Sequence, residues 1–398
     1  MAQASGSPVS QLHPLVGHEN VQQSLARAHA KNGLPASLLM HGLQGVGKQR
    51  LALWTAQLQL CTAPGEGGPC GICKSCRMAL TLEHPDLHWY FPLTRPKGAS
   101  GDRLADALQE ARWEALSDRR AQPLRASHSE EVRGLYLGLI QGLRRQAHVR
   151  PTMSPVQVFI IGEAEYLVPQ EASPEAANAI LKLLEEPPSG TRFILTSGEP
   201  GRLLATIRSR AVPLHVAPLP RKQVAAFLEE HRSVDARTAR WAADLSQGSI
   251  GRALGFLQEA KGERGPLEGK RRDALAIVES ALAPGRAAGY GVALSHPPSG
   301  ARALVELFAF VEEWLRDVAA VAAGAEDGVL SQDAIPHLRK LVEAAAVEAS
   351  DVAVALPAVE EARQLARGNV NPQLIVSGLV RRLRRSLRPS PTSTGRSR

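Results

Sequence analysis

Two sets of residues in this chain have the types and spacing for chemistry, and they lie close together. The first is Gly42-Leu43-Gln44-Gly45-Val46-Gly47-Lys48, a glycine-rich loop ending in lysine. Glycines there let backbone N–H groups approach phosphate oxygens, and the lysine supplies charge to the outer phosphates. The second holds every cysteine of the 398 residues: Cys61, Cys70, Cys73 and Cys76, spaced C-x8-C-x2-C-x2-C. Two C-x2-C steps sharing Cys73 do not readily pair as disulfides, but they suit four thiolates around one tetrahedral Zn²⁺. Free buried thiols and redox cysteines are the alternatives. A closed four-thiolate site leaves no position for water, so the expected role of the zinc is structural.

A phosphate loop also needs a magnesium site, and here the expected residues are missing. The position after Lys48 should be Ser or Thr, whose hydroxyl holds Mg²⁺; it is Gln49. The apolar run Val158-Phe159-Ile160-Ile161 should lead into an acidic pair, but it is followed by Gly162-Glu163-Ala164-Glu165. Glu163 stands where a water-activating glutamate would, and Gly162 replaces the aspartate that orients the metal. The other reading of Glu163 is a solvated residue after a buried strand. Mg²⁺ neutralises the β- and γ-phosphates during phosphoryl transfer, so losing both protein contributors points to a retired ATPase. Further on, Arg208-Ser209-Arg210 is a basic pair that the residues alone also read as an ordinary surface patch.

These residues need a scaffold. Residues 19–32 read as a helix and Ser37–His41 as a strand, with the glycine loop and a helix from about 49 to 60 following. Val156–Ile161 and Arg192–Ser197 read as further buried strands, and 174–186 as a helix closed by Pro187-Pro188. Alternating strands and helices over 15–217 predict a parallel sheet covered by helices. The stretch 92–130 is polar and reads as a surface insertion with one helix at 102–118. Beyond Pro218 the pattern is helical: 221–232, 236–260, a Gly/Pro-interrupted stretch over 262–300, and a block from about 301 to 385.

Composition narrows the classes. Hydrophobic content of 44% with 22% charged residues is an ordinary globular balance. No apolar run approaches ~18 residues, so no membrane span is expected, and residues 1–14 lack a signal-peptide pattern. With no cysteine outside the cluster, a reducing cytoplasm is the expected setting. The net charge of +8 is largely a property of the end of the chain, because the last 18 residues hold seven arginines and no acid. A basic tail of this kind would add a salt-dependent, sequence-independent affinity for DNA, which keeps a zinc-dependent nucleic-acid-binding module open as another reading.

The order of motifs resembles the AAA+ clamp-loader subunits of bacterial DNA polymerase III, the gamma/tau and delta-prime group. The likeness rests on His13-Pro14-Leu15-Val16-Gly17-His18, the Gly42–Lys48 loop, the four cysteines and His84-Pro85-Asp86. It rests too on the run Asn178-Ala179-Ile180-Leu181-Lys182-Leu183-Leu184-Glu185-Glu186-Pro187-Pro188, on Ile207-Arg208-Ser209-Arg210, and on Gly248-Ser249-Ile250-Gly251-Arg252. Glu312–Asp317 and 369–371 resemble parts of the family's last domain.

The resemblance implies an α/β AAA+ core with a zinc knuckle (1–217, knuckle 61–76), a helical lid (218–285), an all-α collar (286–387) and a basic tail (388–398). It implies partnership with gamma/tau and delta subunits, a sliding clamp and primer-template DNA in a cytoplasmic replisome. It makes Arg210 an arginine finger for a neighbour's ATP and maps Arg252 to sensor 2, with Thr196 or Ser197 near sensor 1. Gln49 and Gly162 place the chain with the delta-prime stators, with ATP binding but no efficient hydrolysis. An active gamma/tau-type motor is the alternative.

Overall fold

The computed structural model describes residues 12, 15–100, 102–124, 133–167, 175–258, 265–285, 287–368 and 370–388. It divides into two compact units. The first comprises residues 1–234 and 247–254, and the second 235–246 and 255–398.

In the first unit the elements run in order: α1 (Glu19–Ala30), β1 (Ser37–His41), α2 (Lys48–Leu60), α3 (Lys74–Leu80), β2 (Leu87–Tyr90), β3 (Leu93–Thr94) and α4 (Asp102–Ala121). Then come β4 (Arg133–Gly134), α5 (Leu137–Ala147), β5 (Gln157–Ile161), α6 (Glu175–Glu185), β6 (Thr191–Ser197), α7 (Ala205–Arg208), β7 (Val212–His215) and α8 (Arg221–Arg232). Five strands form one sheet in the order β2-β5-β6-β1-β7, every neighbour parallel. The parallel α/β architecture expected from the sequence is therefore present.

The period-2 alternation of strand side chains explains the layering. Leu38, Met40, Val158, Ile160 and Ile194 join one buried cluster with α2. Leu39, Phe159, Ile161, Phe193 and Leu195 join a second cluster with α5 and α6. A strand buried on both faces needs a continuous apolar run, which is what β5 and β6 supply.

Several elements differ from expectation. The sheet gains β2 and β7 at its two edges. Pro213 is tolerated in β7 because an edge strand has a side that needs no ladder bond. Helix α5 was not expected, since Gly138 and Gly142 depress helix propensity. Both glycines face α4: a Cβ on Gly138 would stand 3.1 Å from Ala105 Cα, and one on Gly142 would stand 2.3 Å from Gln109 Nε2. The 92–130 stretch, read as surface, buries Leu108, Arg112 and Leu116 through α4.

Asp86, just before β2, ties the start of that strand to the segment leading into β5. Its buried carboxylate accepts from the N–H groups of Thr152, Met153 and Ser154 at 2.6, 2.8 and 2.7 Å. His84 Nδ1 in turn accepts from the Asp86 N–H at 3.1 Å.

The second unit is helical: α9 (Ala236–Leu245), the end of α10 (Ile250–Phe256), α11 (Pro266–Leu282), α12 (Ala287–Leu294), α13 (Leu304–Ala322), α14 (Ile335–Ala345), α15 (Ala349–Ala366) and α16 (Pro372–Leu387). The single helix expected over 236–260 is broken, because Gln247 and Gly248 take positive φ of 53° and 80°. The Gly/Pro-interrupted 262–300 stretch instead carries the 17-residue α11, whose Pro266 sits at the first helical turn where its missing N–H costs nothing. Helix α13 buries Phe308, Phe310, Val311, Trp314 and Leu315, and its buried Asp317 accepts from Leu330 and Ser331 N–H. Residues 389–398, most of the basic tail, lie outside the described residues, as do His13, Pro14 and Asn369. Among the described residues no helix is long and apolar enough to cross a membrane.

Removing the Asp86 carboxylate deletes three N–H bonds, and a hydrogen bond contributes about 0.5–1.5 kcal/mol net once the freed donor meets water. Asp86→Ala should therefore lower the unfolding free energy of the first unit by roughly 3 kcal/mol and speed amide exchange at 152–154. An unchanged exchange rate at those three amides would remove this role.

Candidate functional site

The glycine loop connects β1 to α2, the strand–loop–helix context a phosphate loop requires. Gly45 has φ +74°, and a Cβ there would stand 2.6 Å from Ser249 Oγ. A side chain at Gly42 would meet the Val216 carbonyl at 2.2 Å. Lys48 is 6% exposed. Its ammonium donates to the Gly42 and Leu43 carbonyls at 2.9 and 2.7 Å, so it folds back on its own loop. Burial pulls its pKa down to about 8, against the opposing pull of Glu165 and Glu163.

Residues 248–252 cover the loop. Ser249 Oγ donates to the Gln44 carbonyl at 2.8 Å, and Gly251 N–H to the Gly45 carbonyl at 2.9 Å. Arg252 enters through its backbone, donating to Ser249 Oγ at 3.1 Å. Gly42, Gly45, Gly47 and Lys48 thus lie on one loop, and the backbone of Arg252 comes up against it.

Gln49 and Gly162 meet. An added Cβ at Gly162 would lie 2.9 Å from Gln49 Oε1 and 3.0 Å from its Cδ. The Gln49 amide donates to Glu163 Oε1 at 3.1 Å. Two substitutions that look independent along the chain thus form one contact: the amide occupies room that an aspartate at 162 would need. Glu163 is held further by its N–H, which donates to Thr196 Oγ1 at 3.1 Å, and by Arg133 at 3.9 Å. Glu165 is buried and accepts from Gly198 N–H at 2.9 Å; burial pushes its carboxyl up. Arg133 escaped the sequence reading because it stands 30 residues upstream in a polar stretch with no motif around it.

The cysteines sit at the other end of α2. Cys61 is the first residue past that helix and Cys73 caps α3. At 1.5 Å per residue, about 20 Å of helix separates Lys48 from Cys61. The four Sγ atoms lie within 4.8 Å of one another, with Cys61–Cys73 at 4.0 Å and Cys70–Cys76 at 3.9 Å. Four thiolates about 2.3 Å from a tetrahedral centre stand roughly 3.8 Å apart, so the cluster fits that geometry. Backbone N–H groups of Cys70, Cys73 and Cys76 donate to the sulfurs of Cys61, Cys70 and Cys73 at 3.3–3.4 Å. Such donors favour thiolate: hydrogen bonds from Cys73 and Ile72 N–H hold the Cys70 thiol below its usual range. Gln57 on α2 ties the cluster down, donating to the Cys76 carbonyl at 3.2 Å.

Arg210 is not part of the loop cluster. It follows α7, donates to the Thr206 carbonyl at 2.7 Å and pairs with Glu185 at the end of α6. Its side chain is 30% exposed.

The sequence model of the family described as "DNA polymerase III, delta subunit" matches residues 17–220, just over half the chain. The chain belongs to that family. It is a member of the clamp-loader AAA+ group, in agreement with the resemblance read from its motifs. It is similar to the DNA polymerase III subunit delta' of Escherichia coli, 30% identical over 222 residues. That match covers 56% of this chain and 54% of the relative. The delta' subunit of Bacillus subtilis is 26% identical over 371 residues, 90% of this chain and 94% of that one. The tau subunit of Escherichia coli is 26% identical over 251 residues, 62% of this chain and 32% of the relative. In the matches to the delta' subunits of Escherichia coli and Pseudomonas aeruginosa, the chain spans about half of each relative's length.

The Gln49–Gly162 contact makes a thermodynamic prediction for this family member. Gly162→Asp alone should cost about 1–3 kcal/mol by overpacking. Gln49→Thr made with it should recover at least ~1 kcal/mol of that loss, because residues in contact do not add. Strictly additive urea-unfolding energies in the four-protein cycle would show that the two positions do not communicate.

Proposed function

We propose that this chain is a clamp-loader subunit of DNA polymerase III that does not turn over its own nucleotide. On this reading it works in an assembled ring with gamma/tau and delta subunits, helping to load a sliding clamp on primer-template DNA in the cytoplasm. The observation that carries the proposal is the Gln49 amide packed against Gly162 and bonded to Glu163. A neutral side chain lies where two ligands of a divalent cation would converge, and the carboxylate meant for water is already engaged. The phosphate loop supports the same reading, because Lys48 spends its donors on loop carbonyls. Nucleotide binding without turnover remains compatible with the glycines.

Arg210 is then the residue that acts, on the ATP of a neighbouring motor subunit. Its resting partners favour release: a surface ion pair is worth about 0–1 kcal/mol, so exchanging Glu185 for a phosphate requires little. A guanidinium delivered to a transferring phosphoryl group is worth ~10³–10⁵ in rate in other systems.

The reading of the chain as an active gamma/tau-type motor keeps two observations on its side, an in-place Lys48 and Glu163. The same experiment separates the two. The purified chain should show no ATPase above background, and Arg210→Ala should depress the DNA-stimulated ATPase of the reconstituted loader at least tenfold. Brisk Mg²⁺-dependent turnover by the lone chain, abolished by Lys48→Ala, would establish the motor instead.

The cysteine cluster is proposed to hold one structural Zn²⁺ through Cys61, Cys70, Cys73 and Cys76. Zinc binding of about 10–16 kcal/mol can order a short loop with little core of its own. Metal analysis should find one zinc per chain, lost in Cys73→Ser. Stripping it with a chelator should expose 61–76 to proteolysis while α2 stays protected. Full protease resistance of the stripped chain would show that the loop needs no metal.

A further inference from the structure

A cavity of about 650 Å³ opens between α4, α5 and the edge strand β2. It lies three strands from β1, about 14 Å at ordinary strand spacing, and shares no residue with the phosphate loop. Its charge is one-sided. Arg112, Arg120 and Arg145 line it against a single acid, Glu83. His84 and His88 also line it, and burial lowers the pKa of both, His88 to about 4, so they stay neutral near pH 7. The nearby Asp86 carboxylate is already spent on three N–H groups.

The polar lining is built but incompletely satisfied. Arg112 is 5% exposed and fixed by its bonds to Gln109 Oε1 and the Trp89 carbonyl, both 3.2 Å. Its guanidinium lies over the rings of Tyr90 and Trp113, at 4.4 and 4.6 Å from their centroids. Arg120 donates to the Leu82 carbonyl and sits 3.6 Å from Glu83, yet its Nε has no partner among the described residues. Neither have His88 Nε2 and Trp89 Nε1, which are equally sealed from solvent. Unpaired buried polar atoms are uncommon in a folded chain, and three of them belong to residues that line this cavity.

Trp113 lines the same cavity. One face of its ring is covered by Arg112, yet the residue is 57% exposed. An open indole beside two arginines is a surface for a flat ring carrying an anion. Base stacking on an aromatic side chain with basic groups tracking the phosphates is how single strands are held without sequence preference. Arg145, exposed on α5, and Arg120 are the groups available to a phosphate.

We propose that this cavity binds a nucleotide unit of single-stranded DNA, base on Trp113 and phosphate at Arg120 and Arg145. The open rim suits a strand passing through better than an enclosed mononucleotide. The site does not depend on nucleotide turnover or on Arg210, so the isolated full-length chain suffices to test it.

The experiment follows the polarisation of a fluorescein-labelled thymidine oligonucleotide. Trp113→Ala and Arg145→Ala, both exposed positions, should each weaken binding about tenfold. Arg144→Ala, on the same helix but outside the cavity, should leave it within twofold. Unlabelled thymidine monophosphate should compete only weakly. Unchanged affinity in Trp113→Ala would overturn the proposal. So would an equal loss in Arg144→Ala, which would mark a diffuse charge effect. Tight binding of the monophosphate without binding of the oligonucleotide would replace the strand by a free nucleotide. Displacement of the oligonucleotide by a polyglutamate peptide at lower concentration than by unlabelled oligonucleotide would assign the cavity to an acidic protein segment.

Discussion

Helix α2 is buried along nearly its whole length, ten of its 13 residues lying out of solvent. A helix so enclosed cannot rotate or slide, because the surrounding core is close-packed. That constraint fixes what hangs from each end. At the first turn Lys48 is pressed onto the carbonyls of its own loop, and Gln49 is turned onto the end of β5. At the last turn Cys61 is delivered to the cysteine cluster, with Gln57 binding the cluster back to the helix. The phosphate loop and the cysteines are thus two ends of one rigid body rather than two separate motifs.

Under that constraint the chemistry at Gln49 has little freedom. A threonine hydroxyl and an aspartate at these two positions would offer oxygen ligands to a divalent cation. Here the glutamine takes that place and the glycine makes room for it. The energetic logic differs as well. A cation stabilises carboxylates and phosphates together, whereas an amide satisfies one oxygen of Glu163 and offers phosphate nothing. The remaining positive groups, Arg133 beside Glu163 and Lys48 beside Glu165, balance buried carboxylates of the chain itself. Charge in this pocket is largely settled before any ligand arrives.

Much of the first unit was legible because its signals are local. Ser37–His41 is apolar, short and followed by the glycine loop, so its place in a parallel sheet could be read directly. The cysteine spacing likewise encodes its own geometry. What escaped was carried by tertiary context. Strand β2 is only Leu87–Tyr90 and gains its pairing from β5. Helix α5 contains two glycines that propensity counts against it and that packing with α4 requires. The break between α9 and α10 hangs on backbone conformation at Gln247 and Gly248, which no periodicity reveals. At the site itself both odd residues, Gln49 and Gly162, were visible in the sequence as losses. That they touch was not, since 113 positions separate them.

The stretch from 92 to 130 shows the same limit from the other side. Its polarity made it look like a loop decoration, and nine of the 20 residues of its helix are charged. Yet the arginines of α4 are not uniformly solvated. Arg119 stacks over Trp89 and Phe91, and Arg112 over Tyr90 and Trp113. Guanidinium groups bury better than ammonium groups because they are weakly hydrated and can lie flat on aromatic rings. A helix with arginines at these positions can therefore serve as core on the side facing β2 while presenting Trp113 and Arg120 to the cavity. Lysines at these positions would lack a flat face to lay on those rings and would hold their ammonium groups toward water.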